Sequence, residues 1–202
     1  MSDVVIPGGR DVRGTLEQPA GEPSAIVVAC PPHPRYGGSR SDRRLVAISS
    51  ALAEAGIDCL RFDYGTWDEG YGEREDVRNA VRWARERYAR VGLFGYSFGA
   101  TQALLASADV AVDAVAVLAP SARIDANADL DAVDALGALE SPARVLYGER
   151  DETVEWGPVV ERADERGPDV TTVALSADHF FVGQDDAIAE SVREFFERTL
   201  LE

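Results

Sequence analysis

Gly95-Tyr96-Ser97-Phe98-Gly99 lies between an apolar run, Val91-Gly92-Leu93-Phe94, and a run of small residues and leucine from Ala100 to Leu105. Gly-x-Ser-x-Gly between a strand and a helix is a nucleophile elbow. The chain turns there so sharply that the serine backbone is strained. A glycine two residues to either side brings no Cβ into the bend. The serine then projects above the sheet edge, over the start of a helix. The first N–H groups of that helix favour negative charge.

Strand and helix signals alternate outward from this pentapeptide. Toward the N-terminus, Ala25 to Cys30 is continuously apolar, as in a strand buried on both faces. Val4 to Ile6 and Val12 to Glu17 read as short edge strands joined by a Pro7-Gly8-Gly9 turn. Ser41 or Asp42 can cap a helix running to about Ala55, with Leu45, Ile48, Leu52 and Ala55 at helical spacing. Ile57 to Phe62 predicts a strand and Glu73 to Tyr88 an amphipathic helix. Beyond the elbow, strands are predicted at Val112 to Leu118, Arg144 to Tyr147 and Val170 to Leu175. Helices are predicted at Trp156 to Glu165 and Asp185 to Leu200. The stretch Ser121 to Ser141 has room for one helix but not for a lid domain. The expected class is α/β, with a mainly parallel, doubly wound sheet carrying helices on both faces. In such sheets reactive groups collect at the C-terminal ends of the strands.

Length and composition set the frame. The 202 residues, 46% of them hydrophobic, predict one domain, 1–202, with a full core. No apolar stretch approaches a membrane span, and no secretory leader is read, so a cytoplasmic location is expected. Cys30 and Cys59 sit in apolar strand-like runs and read as buried thiols rather than a bridge or metal pair. Acidic residues number 36 against 20 basic ones, all of them arginine, for a net charge of −16. That charge repels nucleic acid and anionic membranes, so neither is an expected partner. It is read as a surface adapted to high salt; an acidic protein of an arginine-favouring genome is the plainer alternative. The composition gives no oligomeric state.

A neutral serine hydroxyl needs a base. Only two histidines are present, His33 and His179. His179 follows the last predicted strand and so falls on the same sheet edge as Ser97. Asp151 follows the strand Arg144 to Tyr147 in the turn Gly148-Glu149-Arg150-Asp151 and falls there too. A carboxylate is needed to hold the imidazole tautomer and stabilise its cation. Ser97, Asp151 and His179 are the candidate catalytic residues, in the chain order Ser, Asp, His. The bland alternatives are a capping or core histidine and an Asx-turn aspartate. Glu149, Glu152 and Asp178 compete for the carboxylate role. The oxyanion hole needs backbone donors. Phe98 N–H is the first; the second is expected from Pro31-Pro32-His33-Pro34-Arg35-Tyr36-Gly37-Gly38. Prolines cannot donate, which leaves Arg35 first and Tyr36 next, with His33 anchoring the loop. Tyr36, Trp67, Tyr71, Phe98, Trp156 and Phe180 are candidate pocket residues, though each taken singly reads as ordinary packing. No ligand spacing suggests a metal, and no phosphate-binding glycine motif suggests a nucleotide cofactor.

The proline loop, the elbow, the Gly148 to Asp151 turn and Ala177-Asp178-His179-Phe180-Phe181 together resemble the α/β-hydrolase superfamily. The likeness is to its small capless branch near the dienelactone hydrolases and spans about residues 12 to 200. It implies a Ser97–His179–Asp151 triad and cofactor-free acyl-ester chemistry; the lack of room for a lid leaves an open mouth, which favours a small carboxylic ester. Two departures stand out. Asp63-Tyr64-Gly65-Thr66-Trp67-Asp68-Glu69-Gly70 replaces an Arg-Gly-x-Gly-x-Ser found in many relatives. The elbow also carries serine where dienelactone hydrolases proper carry cysteine. Acyl transfer or peptide cleavage on the same residues, or a non-catalytic binding module, are the rival functions.

Overall fold

The computed structural model describes residues 1–19, 21, 24–124 and 127–202. Residues 125 and 126, within the stretch expected to hold one helix, lie outside the described residues. An antiparallel hairpin opens the chain, β1 (Ser2–Ile6) and β2 (Val12–Glu17). It is followed by β3 (Ala25–Cys30), α1 (Arg43–Glu54), β4 (Asp58–Asp63), α2 (Tyr71–Arg85) and β5 (Arg90–Tyr96). Next come α3 (Phe98–Ser107), β6 (Ala114–Leu118), the short β7 (Arg123–Ile124) and β8 (Asn127–Asp131), and α4 (Ala132–Ala138). The chain closes with β9 (Ala143–Gly148), α5 (Gly157–Glu165), β10 (Val170–Leu175) and α6 (Asp185–Leu200).

Eight strands form one sheet in the order β1-β2-β4-β3-β5-β6-β9-β10. Within this sheet the pairings from β4 across to β10 are parallel, and those of β2 with β1 and β4 are antiparallel. The expected α/β class is therefore the one observed. Among the differences from expectation, two stand out. Helix α2 ends at Arg85, and it starts at Tyr71 because the Glu73 carboxylate accepts the N–H groups of Gly70 and Asp68, each at 2.8 Å, and nucleates the first turn early. The stretch 121–141 holds the predicted helix and, beside it, the two-stranded β7–β8 ribbon.

The sheet divides the core by strand alternation. Ile26, Val28 and Cys30 of β3 join Val77, Ala80, Leu104 and Val159 on one side. Ala25, Val27 and Ala29 join Leu45, Ile48, Leu52, Val192 and Phe196 on the other. All six β3 residues are fully buried, which is why that run is apolar without a break. Gly92 of β5 makes room for a ring: a Cβ there would stand 2.6 Å from Phe196 Cε1. A phenyl buried like that of Phe196 is worth roughly 3–5 kcal/mol against alanine. Cys30 and Cys59 are free and buried, and burial pushes the Cys59 thiol up to about 12.

Candidate active site

Strand β5 ends at Tyr96, and Ser97 follows with φ 56° and ψ −121°. A non-glycine residue held there costs about 1–3 kcal/mol and persists only where its surroundings force it. The forcing contacts are visible. A Cβ on Gly95 would collide with the Gly99 carbonyl, and one on Gly99 with the carbonyls of Cys30 and Pro31. The two glycines thus let the first turn of α3 pack against the end of β3. Phe98 is the first residue of α3, so its N–H finds no acceptor within the helix.

Ser97 Oγ lies 2.9 Å from His179 Nε2, and His179 Nδ1 lies 2.7 Å from Asp151 Oδ2. An ionised carboxylate only accepts, so Nδ1 carries the imidazole proton and Nε2 is free to accept from the serine hydroxyl. The Asp151 and His179 side chains are almost completely buried, while Ser97 remains partly open to solvent. Asp151 Oδ1 accepts from Thr153 N at 2.8 Å and Val154 N at 3.3 Å. The aspartate therefore forms its turn with one oxygen and meets the histidine with the other. Asp178 instead caps Phe180 N at 3.0 Å, and Glu149 and Glu152 are exposed.

A cavity of about 860 Å³ opens over Ser97. Tyr36, Trp67, Phe98 and Phe180 line it, as do Arg35, Arg44, Thr101, Ser121 and Ile124, which sequence reading did not place there apart from Arg35 as a backbone donor. Tyr71 and Trp156 are not among its walls. Tyr71 is half-exposed on the first turn of α2. Trp156 stacks on Tyr147 with ring centroids 4.6 Å apart and donates from Nε1 to the Asp151 carbonyl at 3.0 Å. The wall carrying Trp67 is rigidly tied. Arg10 donates to Asp76 at 2.7 Å and to the Thr66 carbonyl at 2.6 Å, and Asp76 accepts Gly65 N at 2.9 Å. Trp67 in turn packs on His33 at 4.5 Å and Phe98 at 5.7 Å between centroids.

The two loop donors expected for the oxyanion hole, Arg35 and Tyr36, are bonded elsewhere. Pro34 to Tyr36 forms a 3₁₀ turn capped by His33. Arg35 N–H donates to His33 Nδ1 at 3.2 Å, and Tyr36 N–H to the His33 carbonyl at 3.1 Å. Both N–H groups are spent inside the loop. Among the described residues none accepts from the His33 N–H. The anchoring role expected of His33 is the one observed. Its bond to Arg35 requires a neutral ring, and burial, with Arg35 adding to it, lowers the His33 pKa from its ordinary 6.5. The unfolded chain then binds more protons than the folded one just below that value. Stability from this contact is complete above about pH 6.5 and falls as the pH drops through the folded pKa. Imidazole NMR, with two histidines to resolve, should show His33 titrating below 6.5; titration above it would contradict this account.

No protein-family model matches the sequence, and no curated protein matches it. Solved structures do. An α/β serine hydrolase homologue from Coxiella burnetii superposes with a TM-score of 0.82 at 27% identity, covering 96% of each chain. The fold is that of the α/β-hydrolases. An α/β serine hydrolase without lid from Xanthomonas campestris gives a TM-score of 0.80 at 23% identity, over 98% of this chain and 94% of the other. A dienelactone hydrolase from Anabaena variabilis gives 0.77 at 24% identity, over 98% and 97%. The resemblance to small, lidless α/β-hydrolases therefore holds at the level of structure. The class of enzyme that this α/β-hydrolase likeness supports is a hydrolase.

Proposed function

We propose that this chain is a serine hydrolase that cleaves a small carboxylic ester through an acyl-enzyme. The observation carrying the reading is the unbroken Ser97–His179–Asp151 contact chain at 2.9 and 2.7 Å. Ser97 Oγ attacks the carbonyl carbon as His179 Nε2 takes its proton. The C–O bond to the leaving alcohol breaks as His179 returns that proton. Water, deprotonated by the same imidazole, then attacks the acyl carbon; the bond to Ser97 Oγ breaks, His179 returns the proton to that oxygen, and the acid leaves. Asp151 holds the tautomer and offsets the imidazolium charge. Phe98 N–H and His33 N–H stabilise the tetrahedral oxyanion, in place of the Arg35 or Tyr36 donor that the loop sequence suggested. The cavity volume suits a small molecule, and a Ser97 partly open to solvent suits an ester that does not need a covered site.

A fluorophosphonate probe tests the reading directly, since it reacts only with an activated serine. Labelling confined to Ser97 in folded protein is expected; an unlabelled folded chain would overturn the assignment.

The net charge of −16 enters here as well. We propose that the folded state depends on salt. Unit charges repel over roughly 30 Å at 10 mM salt but only about 3 Å at 1 M. The melting temperature is expected to rise from low to molar KCl. Equal melting in both would defeat the high-salt reading while leaving the chemistry untouched.

A further inference from the structure

We propose that Tyr96 and Arg44 are positioning residues for His179, clamping two consecutive main-chain carbonyls beside its imidazole. The inference rests on the reading of Ser97, His179 and Asp151 given above. Tyr96 Oη donates to the His179 carbonyl at 2.8 Å in a buried contact. Arg44, from the first turn of α1, donates from one guanidinium nitrogen to the Phe180 carbonyl at 2.8 Å. The two clamping groups also touch each other, with Arg44 Cζ 4.2 Å from the Tyr96 ring centroid. Tyr96 is stacked beside the His179 ring, centroids 5.7 Å apart and planes 29° from parallel.

Hydrogen bonds to Asp151 and from Ser97 set the imidazole's rotation but not the place of its Cα. That place depends on a turn, since Asp178 caps Phe180 N and Phe181 has φ 49°. Two donors from elements far apart in sequence converge on this turn. Tyr96 also directly precedes Ser97, so one residue ties the nucleophile's strand to the base's loop. A cation beside a nascent imidazolium would oppose it. Asp42 prevents this by binding Arg44 through both oxygens, at 3.0 Å to Nε and 2.6 Å to the terminal nitrogen. Asp42 is also the N-cap of α1, donating no net flexibility to the pair because it accepts Arg44 N at 2.9 Å.

Three variants test the clamp: Tyr96→Phe, which keeps the ring; Arg44→Met, which keeps the stem; and Arg44→Lys, which returns a donor. Hydrolysis of p-nitrophenyl acetate and the rate of fluorophosphonate labelling are measured for each. A base displaced by a fraction of an ångström to an ångström lowers kcat by about 10- to 100-fold. That loss is expected in Tyr96→Phe and Arg44→Met, with KM within about twofold, slower labelling, and partial rescue by Arg44→Lys. The double variant should lose less than the product of the single losses, because both act through one turn. Unchanged kcat in both single variants overturns the clamp. A loss confined to KM also overturns it, making Arg44 a substrate contact. Should Arg44→Met not fold, Tyr96→Phe decides alone. Wild-type labelling at Ser97 with equal rates in the variants sinks only the clamp; no wild-type labelling sinks the underlying reading with it.

Discussion

Ser97→Ala is expected to lower kcat for p-nitrophenyl acetate on the order of 10⁶-fold, to the background of the protein surface. The methyl side chain leaves His179 Nε2, now 2.9 Å from a hydroxyl, with nothing to deprotonate. Among the described residues neither the second histidine nor a thiol is placed to substitute. His33 is bonded within its own loop, and both cysteines are buried with raised thiol pKa values. The fold should survive, since Ser97 Oγ makes no contact beyond the histidine that α3 depends on, and the backbone bond from Ser97 N to the Leu118 carbonyl at 2.8 Å remains. Steady-state kinetics beside a thermal melt checks both halves. Turnover within tenfold of wild type would mean that the chemistry lies elsewhere.

Asp151→Asn is the second large effect, about 10⁴-fold in kcat. The amide oxygen can still accept from Thr153 and Val154, so the turn persists and stability should change little. The amide nitrogen would then face His179 Nδ1, where the carboxylate oxygen sits at 2.7 Å. A donor there forces the proton onto Nε2, which points at Ser97. The base is then in the wrong tautomer and cannot take the serine proton. Kinetics paired with circular dichroism separates this from unfolding. Near-normal kcat in a folded Asp151→Asn would remove the aspartate from the mechanism.

Much of this was written in short-range sequence. The elbow needs two glycines and a strand-to-helix change, and all are local. The strand ends that carry Asp151 and His179 follow from apolar runs and the parallel alternation. Loop and side-chain direction were less legible. Arg35 and Tyr36 looked like free donors because a sequence shows which residues own an N–H, not which have used it. A signal was present: His33 owns the one N–H within Pro31-Pro32-His33-Pro34, and a histidine before proline can cap the turn that follows. Tyr71 and Trp156 were misplaced because helix register and a stacking partner, Tyr147, decide where an aromatic points. Arg44 escaped notice because its partners Tyr96 and Phe180 are far away in the chain, and only folding brings them near.

The uncovered mouth has a kinetic corollary. Its rim residues Tyr36 and Phe180 are 88% and 60% exposed, so on the proposed mechanism bulk solvent should reach an acyl group carried by Ser97. Enzymes that hand an acyl group to a chosen alcohol or amine must shut solvent out while they wait. On the proposed mechanism the acyl-enzyme is therefore expected to be short-lived. Added methanol should divert product only in proportion to its concentration, as an unselected competitor of water.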